Sequence, residues 1–207
     1  MSSREKDHIY IAKLIPRNAS VLEVGHGYGY TGLRLRHSNP DIQRLVGVDI
    51  YQPYCSVLSK LAIYDDVVNC DAKDLFRYPD KSFTVGLAIQ VIEHDDGDKI
   101  LSELERVCSC RVIAVTPDGY HPEDGKTRDQ NPNSKHQTGY DAKYFVERGY
   151  KTRYIPRSRS RLITLLKNIL TPGRHRDIIA WKTCPYYGED AVICNEDPGK
   201  CPRRNRK

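Results

Sequence analysis

No stretch of this 207-residue chain approaches the roughly 18 consecutive apolar residues that a membrane span requires. The opening Met-Ser-Ser-Arg-Glu-Lys-Asp-His also lacks the apolar core of a signal peptide. A soluble, cytoplasmic protein is the expectation. Paired Cys-x-x-Cys spacing is missing too, although there are seven cysteines. Cys108-Ser109-Cys110 is too closely spaced for a relaxed disulfide. Cys184, Cys194 and Cys201 lie ten and seven positions apart in a polar tail. Three such thiols and a histidine from elsewhere form a conceivable metal set, but without paired spacing the expectation is reduced thiols and no metal. No internal repeat is visible. The length suits one domain with a sizeable core, here assigned to residues 1–183, followed by a Cys-containing basic tail over 184–207.

What is present is concentrated between residues 20 and 30, Ser-Val-Leu-Glu-Val-Gly-His-Gly-Tyr-Gly-Tyr. An apolar strand through Val21, Leu22 and Val24 breaks into Gly25-x-Gly27-x-Gly29, and a helix-like stretch, Thr31 to His37, follows. Glycines permit a tight turn and close approach of a bulky ligand. A strand, a glycine turn and a helix N-terminus in that order form the nucleotide cradle of an open α/β sheet. The dinucleotide spacing is G-x-G-x-x-G. Here the pattern is Glu-x-Gly-x-Gly-x-Gly, with Glu23 two residues ahead of the first glycine. A carboxylate at that point repels a pyrophosphate but suits the cationic amino-acid end of S-adenosylmethionine, directly or through water.

Two further acids follow at strand ends. Leu45 to Ile50 is a short apolar strand carrying Asp49, twenty positions after Gly29. That is where a Rossmann-like unit places the acid that accepts ribose hydroxyls. Asp71 ends the strand-like Val67-Val68-Asn69-Cys70.

With these residues in view, the chain resembles the class I S-adenosylmethionine-dependent methyltransferases, in the broad small-molecule group related to ubiquinone-biosynthesis-type O-methyltransferases. Val21 to Gly29 resembles the first family motif, with His26 where cysteine or alanine is commoner. Val46-Gly47-Val48-Asp49 resembles the ribose motif, and Asp71-Ala72 the adenine segment. Phe83 to His94 is similar to the fourth strand and its Val-Ile-Glu-His ending, with Thr84 replacing a frequent acid and Gln90 in the pocket position. The resemblance implies an α/β Rossmann-like open sheet of about seven strands, order 3-2-1-4-5-7-6, the last strand antiparallel. It also implies S-adenosylmethionine as cofactor, and a site lined by Glu23, Gly25, His26, Gly27, Gly29, Asp49, Ile50, Asp71, Ala72 and Gln90.

Periodicity supplies the framework. Ile9, Ile11, Ala12 and Ile15 predict an N-terminal helix ended by Pro16. Strands are expected near 20–24, 44–49, 66–70, 83–89 and 111–116. Ile100, Leu101, Leu104 and Val107 form the apolar stripe of a covering helix. Tyr144, Phe145 and Val146 mark another helix, with Gly149 as its stop. Tyr150 to Ile155 and Asp177 to Lys182 complete the sheet.

Residues 117–140 form a long polar loop leaving the ligand-binding edge of such a sheet. His121, His136 and Tyr140 are its candidate acceptor-contacting residues. His94, following the fourth strand, is the candidate catalytic base, since imidazole titrates near neutrality. Alignment of donor and acceptor alone can also suffice for methyl transfer, and Glu93 and His94 are alternatively caps of the helix starting near Asp95.

Basic charge is localised. Residues 151–176 hold eight Lys and Arg and no acid, the tail from Gly199 adds five, and the overall charge is only +6, so the rest of the chain is net acidic. These segments offer a contact for RNA or a ribonucleoprotein. The preferred reading is a solvated helix, Arg161 to Leu170, packed through Leu162, Ile163, Leu166 and Ile169. A small-molecule acceptor is the leading reading. Open alternatives are a methyltransferase acting on RNA or protein through 151–176 and 199–207, and a non-catalytic cofactor-binding or activator protein of the same fold. A nicotinamide dehydrogenase is the remotest.

Overall fold

A computed structural model describes residues 5–122, 131–156 and 176–183. The expected helix over 161–170, the tail with Cys184, Cys194 and Cys201, most of the basic cluster and part of the 117–140 loop lie outside the described residues.

The described elements are α1 (Glu5–Leu14), β1 (Ser20–Val24), α2 (Tyr30–Ser38), β2 (Arg44–Asp49), α3 (Gln52–Leu58), β3 (Asp66–Asn69), β4 (Phe83–Ile89), α4 (Gly97–Val107), β5 (Cys108–Pro117), α5 (Ala142–Glu147), β6 (Lys151–Pro156) and β7 (Arg176–Thr183). The seven strands form one sheet in the order β3-β2-β1-β4-β5-β7-β6. β7 runs antiparallel to both its neighbours, while the pairs from β3 to β5 are parallel. Order and orientation are those the resemblance implied.

Parallel strands with helices on both faces read as nearly continuous apolar runs, and β4 and β5 are buried along almost their whole length. Alternate residues feed opposite faces. Leu22, Val46 and Ala114 join Leu101 and Leu104 of α4 and Phe145 of α5 on one side. Val21, Leu45 and Ile113 join Ile11 of α1, Leu35 of α2 and Leu58 of α3 on the other. α4 approaches β4 closely because Gly86 has no side chain, and an added Cβ there would lie 2.9 Å from Leu104 Cδ2.

Local chemistry sets the ends of the elements. Asp96 caps α4 by accepting the Lys99 N–H, and Asp141 caps α5 by accepting that of Tyr144. α4 therefore starts two residues later than expected, after a single 3₁₀ turn over Ile92–His94. Gly149, at φ 84°, follows α5 in the left-handed conformation that ends helices. Cys108 and Cys110 are buried cysteines that open β5 directly after α4, so this strand begins three residues earlier than its apolar pattern predicts. Thr84, the departure from the family pattern, bonds Ser20 across the β1–β4 pair through both backbone and hydroxyl. It sits at the amino-terminal end of the strands and serves the sheet. Among the described residues no helix is long and apolar enough to cross a membrane.

Registers bring the carboxyl ends together. Val24 pairs with Val48 and with Ala88, and Ala88 with Ala114. The loops after β1, β2, β4 and β5 consequently emerge at one edge, where open α/β sheets bind ligands. Leu104 is fully buried at the α4–sheet contact. Leu104→Ala is expected to lower unfolding stability by about 2–5 kcal/mol, measured by urea denaturation.

Candidate cofactor and acceptor site

The loop between β1 and α2 takes its shape from glycine. Gly25 has φ 67°, and a Cβ on it would lie 2.2 Å from Val91 Cγ2, so the β1 and β4 loops touch here. Gly27 has φ 50°, and a Cβ on it would meet nothing within 4 Å and project into open space. Its surface is the floor of a cleft of about 1080 Å³ that runs from Asp71 and Ile50, past Glu23 and Asp49, to His94 and His136.

Asp49 locks the loop in place. Its Oδ2 accepts the Gly27 N–H at 2.9 Å and its Oδ1 accepts the Tyr51 N–H at 2.8 Å. A carboxylate has about four lone-pair sites, so acceptor capacity remains for a ligand. Asn69, which sequence reasoning passed over, donates its amide to the carbonyls of Asp49 and Ile50, both at 2.9 Å. It clamps the end of β2 against β3, and its only sequence signal is a polar residue closing an apolar strand. Ile50 stays 47% exposed beside the cleft. Asp71 accepts the Lys73 N–H at 2.8 Å, and Lys73 Nζ lies 2.6 Å from Asp95 Oδ2 and 3.5 Å from Asp71 Oδ2, joining the β3 and β4 loops.

Glu23 is buried where β1 reaches the cleft. Burial pushes its carboxyl up to about 8, the neighbouring Asp49 charge adds to the rise, and hydrogen bonds from Tyr64 and Thr31 oppose it. The Tyr64 hydroxyl donates to Oε2 at 2.9 Å. Tyr64, also missed in the sequence, lies where a Cβ on Gly32 or Gly47 would strike its ring at 2.4 or 3.0 Å. Those two small residues give the tyrosine access to the acid.

His26 presents little to a ligand through its ring, whose side chain is fully buried. Its Nδ1 lies 3.0 Å from the Gly27 carbonyl and its Nε2 3.6 Å from Cys55 Sγ, and the ring packs against Tyr64. Burial holds this imidazole below its ordinary value, against the pull of Asp49.

At the other end of the cleft, Gln90 leaves β4 with φ 56°, and its N–H donates to the Val115 carbonyl at 2.7 Å. A non-glycine residue in the left-handed region is a feature of functional sites. The three candidate histidines of the sequence converge here. The His94 and His136 rings meet edge to face with centroids 4.7 Å apart. His136 Nδ1 bonds the His121 carbonyl at 2.7 Å, and His121 Nε2 bonds that of Asp118 at 2.9 Å. Tyr140 is different. It is buried against Tyr144 and Phe145, pairs with Asp118 and Gly119, and is absent from the cleft wall.

A Rossmann-like sheet of this strand order, with its cleft at the carboxyl edge and acids at the ends of β1, β2 and β3, defines a nucleotide-cofactor protein. Residues 22–115 match the family described as a methyltransferase domain. That segment, a little under half of the chain, thus carries a methyltransferase domain, and S-adenosylmethionine is the cofactor that goes with it. The open floor at Gly27 and the flanking acids suit that ligand. Solved structures agree in fold. An Archaeoglobus fulgidus SAM-dependent methyltransferase is 19% identical, with TM-score 0.59, over 88% of this chain and 95% of that one. A chain of the Haloferax volcanii complex containing the Trm112 methyltransferase activator is 16% identical, with TM-score 0.64, over 88% and 90%. The Burkholderia thailandensis 1,6-didemethyltoxoflavin-N1-methyltransferase, solved with its acceptor and S-adenosylhomocysteine, is 13% identical, with TM-score 0.57, over 86% and 79%. None of the curated proteins compared matches the chain.

Glu23 makes the site sensitive to pH. Below its unfolded value of 4.5 both states hold the proton; between 4.5 and about 8 only the folded state does. Glu23 therefore makes stability fall as pH rises through that window, and the penalty is complete above it. Replacement by Gln removes the titration. Glu23→Gln is expected to be more stable relative to the parent at pH 9 than at pH 4.5, measured by denaturant unfolding at both.

Proposed function

We propose that the protein methylates a small-molecule acceptor seated between Gln90, His94 and the 131–137 segment. The observation that carries this reading is the cleft itself. Its volume of about 1080 Å³ lies just above the roughly 300–1,000 Å³ typical of small-ligand sites, and the acids that suit the cofactor occupy only one end.

When bound, S-adenosylmethionine supplies a methyl carbon made electrophilic by its sulfonium sulfur. The chain's part is to hold and align. The backbone at Gly25 and Gly27 borders the cleft and lets the ligand approach closely, whereas Gly29, named with them in the sequence, is absent from the cleft wall and faces Leu58 at the start of α2. Asp49 accepts ribose hydroxyls with the capacity left by Gly27 and Tyr51. Ile50, Asp71 and Ala72 form the adenine end, and Glu23 meets the ammonium of the amino-acid end. Alignment of donor and acceptor supplies much of the rate in a substitution of this kind. His94, half-buried at the cleft wall, is placed to take a proton at an imidazole nitrogen from an acceptor hydroxyl. His121 and His136 shape the acceptor end, while Tyr140 supports the segment from behind.

The second reading, an RNA or protein acceptor, rests on the basic segments 151–176 and 199–207. In the described part of that cluster, the Arg153 guanidinium lies 4.3 Å from the Tyr10 ring centre. Arg176 lies 3.7 Å from that of Tyr154 and pairs with Asp118. Arg176 is thus engaged within the fold and Arg153 rests on a ring while exposed, so the described part of the cluster gives the RNA reading little support. The third reading, a cofactor-binding protein without turnover, predicts binding with no methyl transfer.

Calorimetric titration with S-adenosylhomocysteine is expected to give one site per chain, weakened at least tenfold in Asp49→Ala. Unchanged affinity in that variant, or no binding by folded parent protein, would contradict the proposed cofactor placement. Because Glu23 holds its proton up to about 8, pairing with the ligand ammonium at pH 7 is expected to release it. Titrations in buffers of different ionisation enthalpy read that proton directly, and Glu23→Gln should show no such release.

A further inference from the structure

We infer that Glu93, His94 and His136 form a binding site for a divalent first-row transition-metal ion at the acceptor end of the cleft. Each offers a donor atom, and the three atoms lie within 4.8 Å of one another. Bond lengths of about 2.0–2.2 Å place the donors of a tetrahedral shell roughly 3.4 Å apart, so small side-chain rotations close the set.

The surroundings hold these donors as metal ligands are held. A ligating histidine usually gives its other ring N–H to a carbonyl, and ligating carboxylates are themselves hydrogen-bonded. His136 Nδ1 is 2.7 Å from the His121 carbonyl, which can only accept, so the proton sits on Nδ1 and the lone pair on Nε2. The Thr116 hydroxyl donates to Glu93 Oε2 at 3.0 Å. The backbone is pinned as well. The N–H groups of Gln137 and Thr138 donate to the Glu93 carbonyl, and the Gln137 amide donates to that of His94 at 2.6 Å. Two segments forty residues apart in sequence are thereby fixed to each other around the three side chains. Glu93 is buried, and a cation beside a buried carboxylate lowers the cost of its charge.

The donor set selects the ion class. Two imidazole nitrogens and one carboxylate oxygen suit manganese, iron, cobalt or zinc, whereas calcium and magnesium prefer shells of oxygen. Three protein donors also leave positions open, as in sites that work on a ligand rather than brace a fold. His94 and His136 both line the cleft, so an open position there is available to an oxygen of the acceptor. That last role rests on the methyl-transfer reading and would replace proton transfer to the His94 nitrogen that the ion occupies, whereas binding of the ion does not depend on that reading. The missing Cys-x-x-Cys, which led the sequence reading to expect no metal, speaks only of thiolate sites.

The test uses full-length protein stripped with a chelator and titrated with Mn²⁺, which thiolates hold poorly. Electron paramagnetic resonance follows the free ion, with a parallel titration in Mg²⁺. One Mn²⁺ per chain is expected, bound at least tenfold more tightly than Mg²⁺ and weakened at least tenfold in His136→Asn and in Glu93→Gln. S-adenosylhomocysteine binding reports whether each variant is folded. Should the two buried positions not tolerate change, His94→Asn, at a half-buried site, is expected to show the same tenfold loss. Parent protein that binds S-adenosylhomocysteine but no Mn²⁺ would overturn the inference, as would Mn²⁺ binding unaltered in the folded variants. Mn²⁺ binding without S-adenosylhomocysteine binding would leave the ion site standing and sink the methyltransferase placement instead.

Discussion

The cofactor half of the cleft depends on one carboxylate. Asp49 accepts the N–H groups of Gly27 and Tyr51 and so fixes the loops that follow β1 and β2 relative to each other. It can do so because the parallel register sets Val24 beside Val48, leaving both chains to turn at the same height. Its charge acts beyond its hydrogen bonds. After burial, it adds to the upward shift of the Glu23 carboxyl and of the Cys55 thiol, and it works against burial at His26. Burial thus sets the protonation of these neighbours with Asp49 contributing, while the hydrogen bonds of Asp49 fix the path of the backbone. In the proposed cofactor placement, Glu23, kept protonated by that environment, would receive a cationic ligand group at the cost of one proton.

The acceptor half is built differently. It has no glycine cradle and takes its form from the docking of 131–138 onto the turn after β4. Backbone bonds to the Glu93 carbonyl and the Gln137 amide on His94 carry that docking, and Tyr140 anchors its far end in the core. Exposed side chains of this segment that carry none of the docking, such as Lys135, can differ without disturbing the sheet, so acceptor choice is expected to reside there. The cofactor half has no such latitude, because Gly25 touches Val91 and Gly32 and Gly47 face Tyr64.

Much of this was legible in the sequence, for physical reasons. The strands of the parallel sheet are buried on both faces and read as apolar runs, and α4 shows its stripe because only one of its faces is buried. The glycine loop and Asp49 were visible because backbone geometry and charge at a strand end restrict residue type. What stayed hidden needs the third dimension. α3 is a short helix without a strong apolar period, marked only by Pro53 in its first turn. Tyr64 gains its role from two distant glycines. His26 reads as a cofactor contact from its place in the loop, yet its ring turns inward to Cys55 and Tyr64. His94 reads in the sequence as a candidate base and His136 as an acceptor contact, and only the fold brings their rings together beside Glu93. Tyr140 has the spacing of a loop residue and the burial of a core one.

The most direct measurement is transfer of labelled methyl from S-adenosylmethionine into a cell extract fractionated by size, with nuclease and protease treatment. Methyl transfer to a small acceptor predicts label in the low-molecular-weight fraction, insensitive to both treatments and lost with Asp49→Ala. Label confined to nuclease- or protease-sensitive material, or no label from protein that binds the cofactor, would contradict it.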